Sequence, residues 1–480
     1  IANFGQDGSF AGNITSQGAS DANGIGDFNY IESGFLALCT SNLPDITIGP
    51  GQSSQADDNF NTLLYTGSDF TTLHIGAGGA RRPADTITIA NSLQFSDSSL
   101  HRDITSSGNT QTWTWSAWVK RSSLGGSNDQ YLFTDGRTGS LSSLQFDTND
   151  RLYAQLRDTT GSTSKYKLTN RTFKSLSTWY HIVWRVDTTQ STDADRSRLY
   201  INGTQITDWN TEQHVDENDE TTINASGDDH LIGAYRTSST IRHFDGYMAE
   251  VTLADGQSYG PETFGQVGAN GDWIPKTISG ITYGTNGFRL TFQTPANPEY
   301  DYQTSDRSTT NDFDKTDNVA SSDVLIDSPT QNFSTLDSQR YSNIGTFSRG
   351  GLTITTGSNQ KAAYGTIAVP SSGKWYYEVH ADNYVISAGS YFGWGTDVNL
   401  GDNENGLTKG IQFSNYNEQV LLDGTGQSGG YGVTTNDIGA DGDVFSILLD
   451  VDNGLFYYAK NGTYFNSANP SNGTGGLGVS

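Results

Sequence analysis

The sequence predicts an all-β protein made of two antiparallel β-sandwich modules in series. One layout, used twice, carries that expectation. Residues 444–451 and 455–460 read as adjacent strands with tight reversals at Asn453-Gly454 and Asn461-Gly462, because Asn-Gly accepts the positive φ angles that hairpin turns require. Upstream, a strand over Tyr180–Val186 ends in Asp187, and after a polar excursion a strand Arg198–Ile201 meets Asn202-Gly203 and returns through Ile206. The composition agrees: 56 Gly, 11% aromatic residues and one Met favour short strands and turns over long helices. Asp-Gly or Asn-Gly pairs recur along the chain, among them Asp7, Asn23, Asp135, Asp245, Asn286 and Asp423 with their following glycines, a density that does not suit an α/β fold.

Taken in order, residues 1–83 hold too little apolar sequence for a core of their own: a short apolar stretch Ile1–Phe4, a Gly/Asn/Asp-rich run, an apolar patch Phe35–Cys39 and a polar linker. Residues 84–295 carry the first full sandwich pattern. Period-two alternation places Trp113, Trp115, Ala117 and Val119 on one face, with Trp118 on the other, and Tyr180, Ile182, Trp184 and Val186 alternate likewise. His181 falls opposite those core positions and reads as an ordinary face residue. Residues 296–330 are rich in Thr, Asn, Asp and Ser without periodicity, as a linker is. Residues 331–480 resume strands, including Lys374–His380, where Glu378 reads as solvent-facing. No closing strand follows the 455–460 pair.

The 480-residue chain carries 27 Lys plus Arg against 53 Asp plus Glu, a formal charge of −26. A surface of that sign repels phosphate backbones, so nucleic-acid partners are not expected. No apolar run reaches membrane-spanning length, so no membrane insertion is expected either. Cys39 alone forms no internal disulfide. The chain does not begin with Met and reads as a piece of a longer polypeptide.

Several motifs carry a family resemblance. Gly373-Lys-Trp-Tyr-Tyr-Glu-Val379 and Asp443–Phe465 resemble the opening and core of a SPRY domain. Trp113–Lys120, Trp179–Val183 with Arg198–Gly203, and Phe244–Val251 resemble a concanavalin A-like LamG module. Both families are jelly-roll-like sandwiches. Their pairing, with Trp273-Ile-Pro-Lys276 after the first and Val324–Thr330 before the second, resembles virion proteins of marine tailed bacteriophages. Ala2–Gln6 resembles the last SPRY strand of those proteins, so residues 1–83 read as the end of a preceding SPRY-like module plus linker. The alternative is that Ile1–Gly12 completes the 331–480 sandwich.

The chain carries few signatures of catalytic chemistry. A glycosidase of this fold needs two carboxylates about 5–10 Å apart, and Asp216–Glu220 lacks the strand alternation that would present them. No nucleophile elbow, Walker loop or histidine metal spacing occurs. No cofactor is expected beyond a structural calcium, for which Asp216, Glu217 and Asp219, or Asp437, Asp441 and Asp443, supply the oxygen ligands. Trp209, Tyr235, Tyr384, Tyr391, Tyr416 and Tyr431 stand beside Gly, Asn, Asp or Ser and are the candidate ligand-binding rings.

The resulting expectation is a non-enzymatic structural and binding protein of an extracellular phage virion (tail fibre, spike or capsid decoration). It would pair with other virion proteins, assemble as a homo-oligomer, most simply a trimer, and attach to a host-surface glycan or protein. A secreted bacterial adhesin or filament subunit is the first alternative, and a glycan-degrading enzyme the second.

Overall fold

Asn-Gly turns set the strand register in both halves of the molecule. At Asn202-Gly203 (φ 48° and 78°) and Asn461-Gly462 (φ 48° and 76°) both residues are left-handed. Each pair therefore closes a hairpin directly, with Ile201 opposite Thr204 and Lys460 opposite Thr463. Asn453-Gly454 differs: only Gly454 has a positive φ, and residues 451–454 loop between the paired Asp450 and Leu455.

The computed structural model describes residues 1–43, 87–136, 141–160, 164–236, 241–268, 272–303, 307–308, 311–338, 346–355, 363–382, 391–395, 410–414, 419–422, 425–427 and 440–478. Among them are strands, turns and short 3-10 turns, and no helix long and apolar enough to cross a membrane. They form two units, one of residues 87–332 and one joining residues 1–43 to 333–480.

The larger unit is a sandwich of two antiparallel eight-stranded sheets. The first centres on Thr112–Arg121, flanked by Trp179–Asp187 and Gly246–Asp255. The second runs from Trp209–Glu212 through Ser164–Thr172, Arg151–Arg157, Ser143–Phe146, Gln130–Thr134 and Asp229–Ile232 to Ser99–Asp103 and Asp314–Thr316. Between them lie Trp113, Trp115, Ala117, Val119, Ile182 and Trp184, facing Phe133, Leu144, Phe146, Leu152 and Ile232. The period-two alternation thus points its apolar residues inward.

The opposite face of the first sheet departs from expectation. Trp118 is only 2% exposed and His181 only 1%, because a downstream segment bearing Phe264, Trp273 and Ile278 folds over them. On the same face Lys120 is fully buried and donates to Asp327 Oδ2 at 2.8 Å and Asn332 Oδ1 at 2.7 Å. Residues 296–330, expected as a linker, supply strands to both sheets: Asp314–Thr316 beside Ser99–Asp103, and Val324–Leu325 beside Ser92–Phe95. Short edge strands need no apolar alternation of their own: Asp314–Thr316 is wholly polar, and Val324–Leu325 is too short to show a period.

In the smaller unit the first residues share one sheet with the 331–480 strands, the arrangement of the alternative in which Ile1–Gly12 completes that sandwich. The strand Lys374–His380 pairs antiparallel with Val444–Asp450 on one side. On the other it meets Ala2–Asn3, antiparallel, and Leu36–Ala37, parallel. Glu378, expected in solvent, is 0% exposed. Its carboxylate accepts the backbone N–H groups of Asn29 at 2.9 Å and Tyr30 at 2.8 Å and the Tyr376 hydroxyl at 2.9 Å. Burial pushes the carboxyl up, and these donors offset part of that rise. His380 is likewise covered, stacked on Phe10 with ring centroids 5.3 Å apart. Tyr391–Gly395, Gly410–Ser414, Gln419–Leu422 and Thr425–Gln427 form a separate four-stranded sheet.

Candidate functional site

The outer face of the first sheet in the larger unit carries the site. Trp118 and Ser116 alternate outward on Thr112–Arg121, and the register sets His181 directly opposite Trp118 on the neighbouring strand. On the other side, Gly246–Asp255 is bulged. Its pairing jumps from Ala249 opposite Trp118 to Thr252 opposite Ser116, so Glu250 and Val251 share one partner position. Val251 stays in the core. Glu250 takes φ 52°, a left-handed conformation costly for a non-glycine residue, and its side chain turns outward. There it meets Arg289, whose Nε lies 2.8 Å from Glu250 Oε2, with both side chains less than a fifth exposed.

These groups line a half-enclosed cavity of about 180 Å³, walled by Ile89, Phe264, Pro275 and Ile278 with Lys276 at its rim. Burial works against the charged Arg289, but the adjacent Glu250 carboxylate holds the guanidinium above its ordinary value. His181 has no such partner, and burial pulls it down to about 3, so the ring is neutral at pH 7. Its tautomer follows from its neighbours. The Trp273 indole can only donate, and does so to Nδ1 at 3.0 Å, so the ring proton sits on Nε2 and is donated to Ser116 Oγ at 2.9 Å.

That arrangement sets the chemistry. A serine beside a histidine would be a nucleophile only if Nε2 were free to take its proton. Here Nε2 carries a proton already, and Trp118 and Trp273 stack on the ring at 4.8 and 6.0 Å. Among the described residues one carboxylate, Glu250, faces the cavity, and it is ion-paired with Arg289. The site offers fixed hydrogen-bond donors and acceptors within apolar walls, which suits holding a small polar group.

Residues 91–258 match the concanavalin A-like lectin/glucanases superfamily. No curated protein matches the chain. Among solved structures, the chain is similar to a native heptameric SAP-like pentraxin from Limulus polyphemus, at 14% identity over 36% of this chain and 80% of that one, TM-score 0.27. It is similar to the CBM40 of a Ruminococcus gnavus sialidase bound to α2,3-sialyllactose, at 14% identity over 34% and 89%, TM-score 0.25. It is also similar to domain 4 of AbnA, an extracellular arabinanase from Geobacillus stearothermophilus, at 18% identity over 33% and 66%, TM-score 0.24.

Of the aromatic residues singled out from sequence, Trp209 and Tyr235 have described side chains, and they lie on different strands of this concanavalin A-like sandwich. Trp209 is half-buried against the core with the Lys167 ammonium 5.3 Å above its ring. Tyr235 lies on a different strand, its ring 5.0 Å from that of Tyr131. Tyr391 opens the strand Tyr391–Gly395, and Tyr384, Tyr416 and Tyr431 lie outside the described residues. Of the calcium candidates, Asp219 accepts the Asp216 N–H at 2.8 Å and so closes its own turn, while Glu217 lies 3.7 Å from Arg196. Among the described residues, Asp216, Glu217 and Asp219 do not bring three ligand atoms together. Asp443 accepts from the Ala440 N–H and Asn461 Nδ2, both at 2.7 Å, and secures the Asn461-Gly462 hairpin. Asp441 is exposed, and Asp437 lies outside the described residues.

Of the cavity residues, Ser116, Glu250 and Arg289 were not singled out from sequence, and His181, read there as an ordinary face residue, is buried instead. No signal in those strands announces the cavity, because single outward rings are common on a sheet surface and the cover comes from Phe264 and Trp273, far along the chain.

Proposed function

We propose that the larger unit is a non-enzymatic glycan-binding module and that its outer-face cavity takes one sugar-sized polar group. The observation that carries this reading is the single, ion-paired carboxylate in the cavity. The matched family includes lectins and glucanases, and hydrolysis requires two carboxyl groups flanking the scissile bond. Glu250 is alone there and tied to Arg289. His181, the remaining acid–base candidate, holds its proton on the wrong nitrogen for activating Ser116. The cavity is smaller than the roughly 300–1,000 Å³ of drug-sized ligand sites, which favours a single ring over a chain lying in a groove.

The SPRY-like and LamG-like motifs of the sequence support a setting for this module: an extracellular virion appendage of a tailed phage, in which the sandwich attaches to a host-surface glycan. The test is a glycan array probed with the full chain and with Glu250→Gly and Arg289→Ala. Binding to a defined set of glycans, reduced at least ten-fold by either substitution, is the expected result. Binding that both variants retain would place the ligand elsewhere on the molecule.

A further inference from the structure

We propose that His101, Asp103 and Asp229 form a site for a first-row divalent cation of the zinc type on the second sheet of the larger unit. The register builds it. His101 and Asp103 are two residues apart on one strand and share a face, and Asp229 stands directly opposite Asp103 on the neighbouring strand. Asp314 pairs with His101 from the other side and adds a further carboxylate to the same face. Carboxylates set opposite one another across an antiparallel pair repel unless a cation lies between them.

The distances fit a metal ion shared by the three groups. His101 Nε2 lies 3.3 Å from Asp103 Oδ1 and 3.3 Å from Asp229 Oδ2. This is longer than the roughly 2.7–2.9 Å of a charge-assisted N–H···O bond. It matches the roughly 3.3 Å edge between two ligands of a tetrahedral ion bound at about 2.0–2.1 Å. All three ligand atoms lie within 4.8 Å of one another, the only such group among the described residues. An imidazole with two carboxylates selects zinc-like ions over calcium, which takes oxygen ligands. With Asp103 76% exposed, the ion would keep a coordination position open to solvent.

The experiment is a calorimetric titration of the chelator-stripped full chain with ZnCl₂, paired with visible absorption of the Co²⁺-loaded chain. One tightest site is expected, with its Kd raised at least ten-fold in His101→Ala, Asp229→Asn and Asp103→Asn. His243→Ala, at a histidine that lies between Asp97 and Asp317 in the same unit, should leave it unchanged. Co²⁺ bands of tetrahedral coordination should disappear in the same three variants. Asp103→Asn alters a largely exposed side chain, so its effect cannot come from unfolding. Absence of zinc uptake, uptake indifferent to all three substitutions, or loss only in His243→Ala would each overturn the proposal.

Discussion

In the larger unit the central strand Thr112–Arg121 is fixed by rings: Trp113 meets Trp184 edge-on at 4.9 Å, and Trp115 stacks on Phe133 at 6.0 Å. In the smaller unit the strand Lys374–His380 is joined to residues 1–43 by rings, Phe4 on Tyr377 at 5.5 Å and Phe28 edge-on to Tyr376 at 5.1 Å, and also by a buried polar group. Glu378 takes the N–H groups of Asn29 and Tyr30. The difference lies in how each fails. An apolar core loses contact area and gains a cavity, whereas a polar junction loses one partner and strands the other in a dry place.

The largest effects should come from the rings. Trp184→Ala should cost about 3–5 kcal/mol in denaturant unfolding of the larger unit. Trp118→Ala, although out of phase, should cost about 3 kcal/mol for the same reason. A loss under about 1 kcal/mol at Trp118 would mean that its outer face is not closed as described. Next, Glu378→Ala orphans two buried backbone donors and should cost the smaller unit about 2–4 kcal/mol. Hydrogen exchange should then quicken in residues 1–43 while residues 112–121 stay protected; equal quickening in both would erase the contrast between the units.

Acid offers a finer test. His181 is depressed in the folded state, so the unfolded chain takes up a proton first as pH falls below about 6.5, and stability is lost from there toward pH 3. Asp245 and Asp301, both raised to about 6 by burial, work the other way, since they favour the folded state at low pH and lose that contribution as pH rises through about 6. The His181 contribution therefore shows in the gap between wild type and His181→Gln, which should narrow by about 2 kcal/mol between pH 7 and pH 5. A constant gap would show that the ring is not held neutral. At Glu250→Gly relief of the left-handed φ offsets only part of the loss, because the largely buried Arg289 is left without its partner, and a net cost of about 2–4 kcal/mol is expected.

What was legible in the sequence follows the same division. The inward phase of Trp113, Trp115, Ile182 and Trp184 could be read because a half-buried strand repeats every two residues. Asn202-Gly203 and Asn461-Gly462 could be read because their backbone demands are local. The burial of Trp118 and His181 could not, since their cover arrives with Phe264 and Trp273, far along the chain. Glu378 looked like any outward carboxylate until Asn29 and Tyr30, some 350 residues away in sequence, supplied its donors. The bulge that aims Glu250 has no composition signal: a β-bulge is a matter of count between two strands, and one strand's sequence does not state it.

The most direct test of the outer-face cavity as a binding rather than a cleaving site is a single NMR titration. The full chain, ¹⁵N-labelled at tryptophan, would receive an oligosaccharide that it binds, with the sugar's own anomeric signals followed in the same tube. The Trp118 indole should shift on titration, Trp184 in the core and Trp209 on the edge strand should not, and the anomeric signals should stay unchanged on prolonged incubation. A shift confined to Trp209, or new reducing-end signals that vanish in Glu250→Gly, would contradict the account.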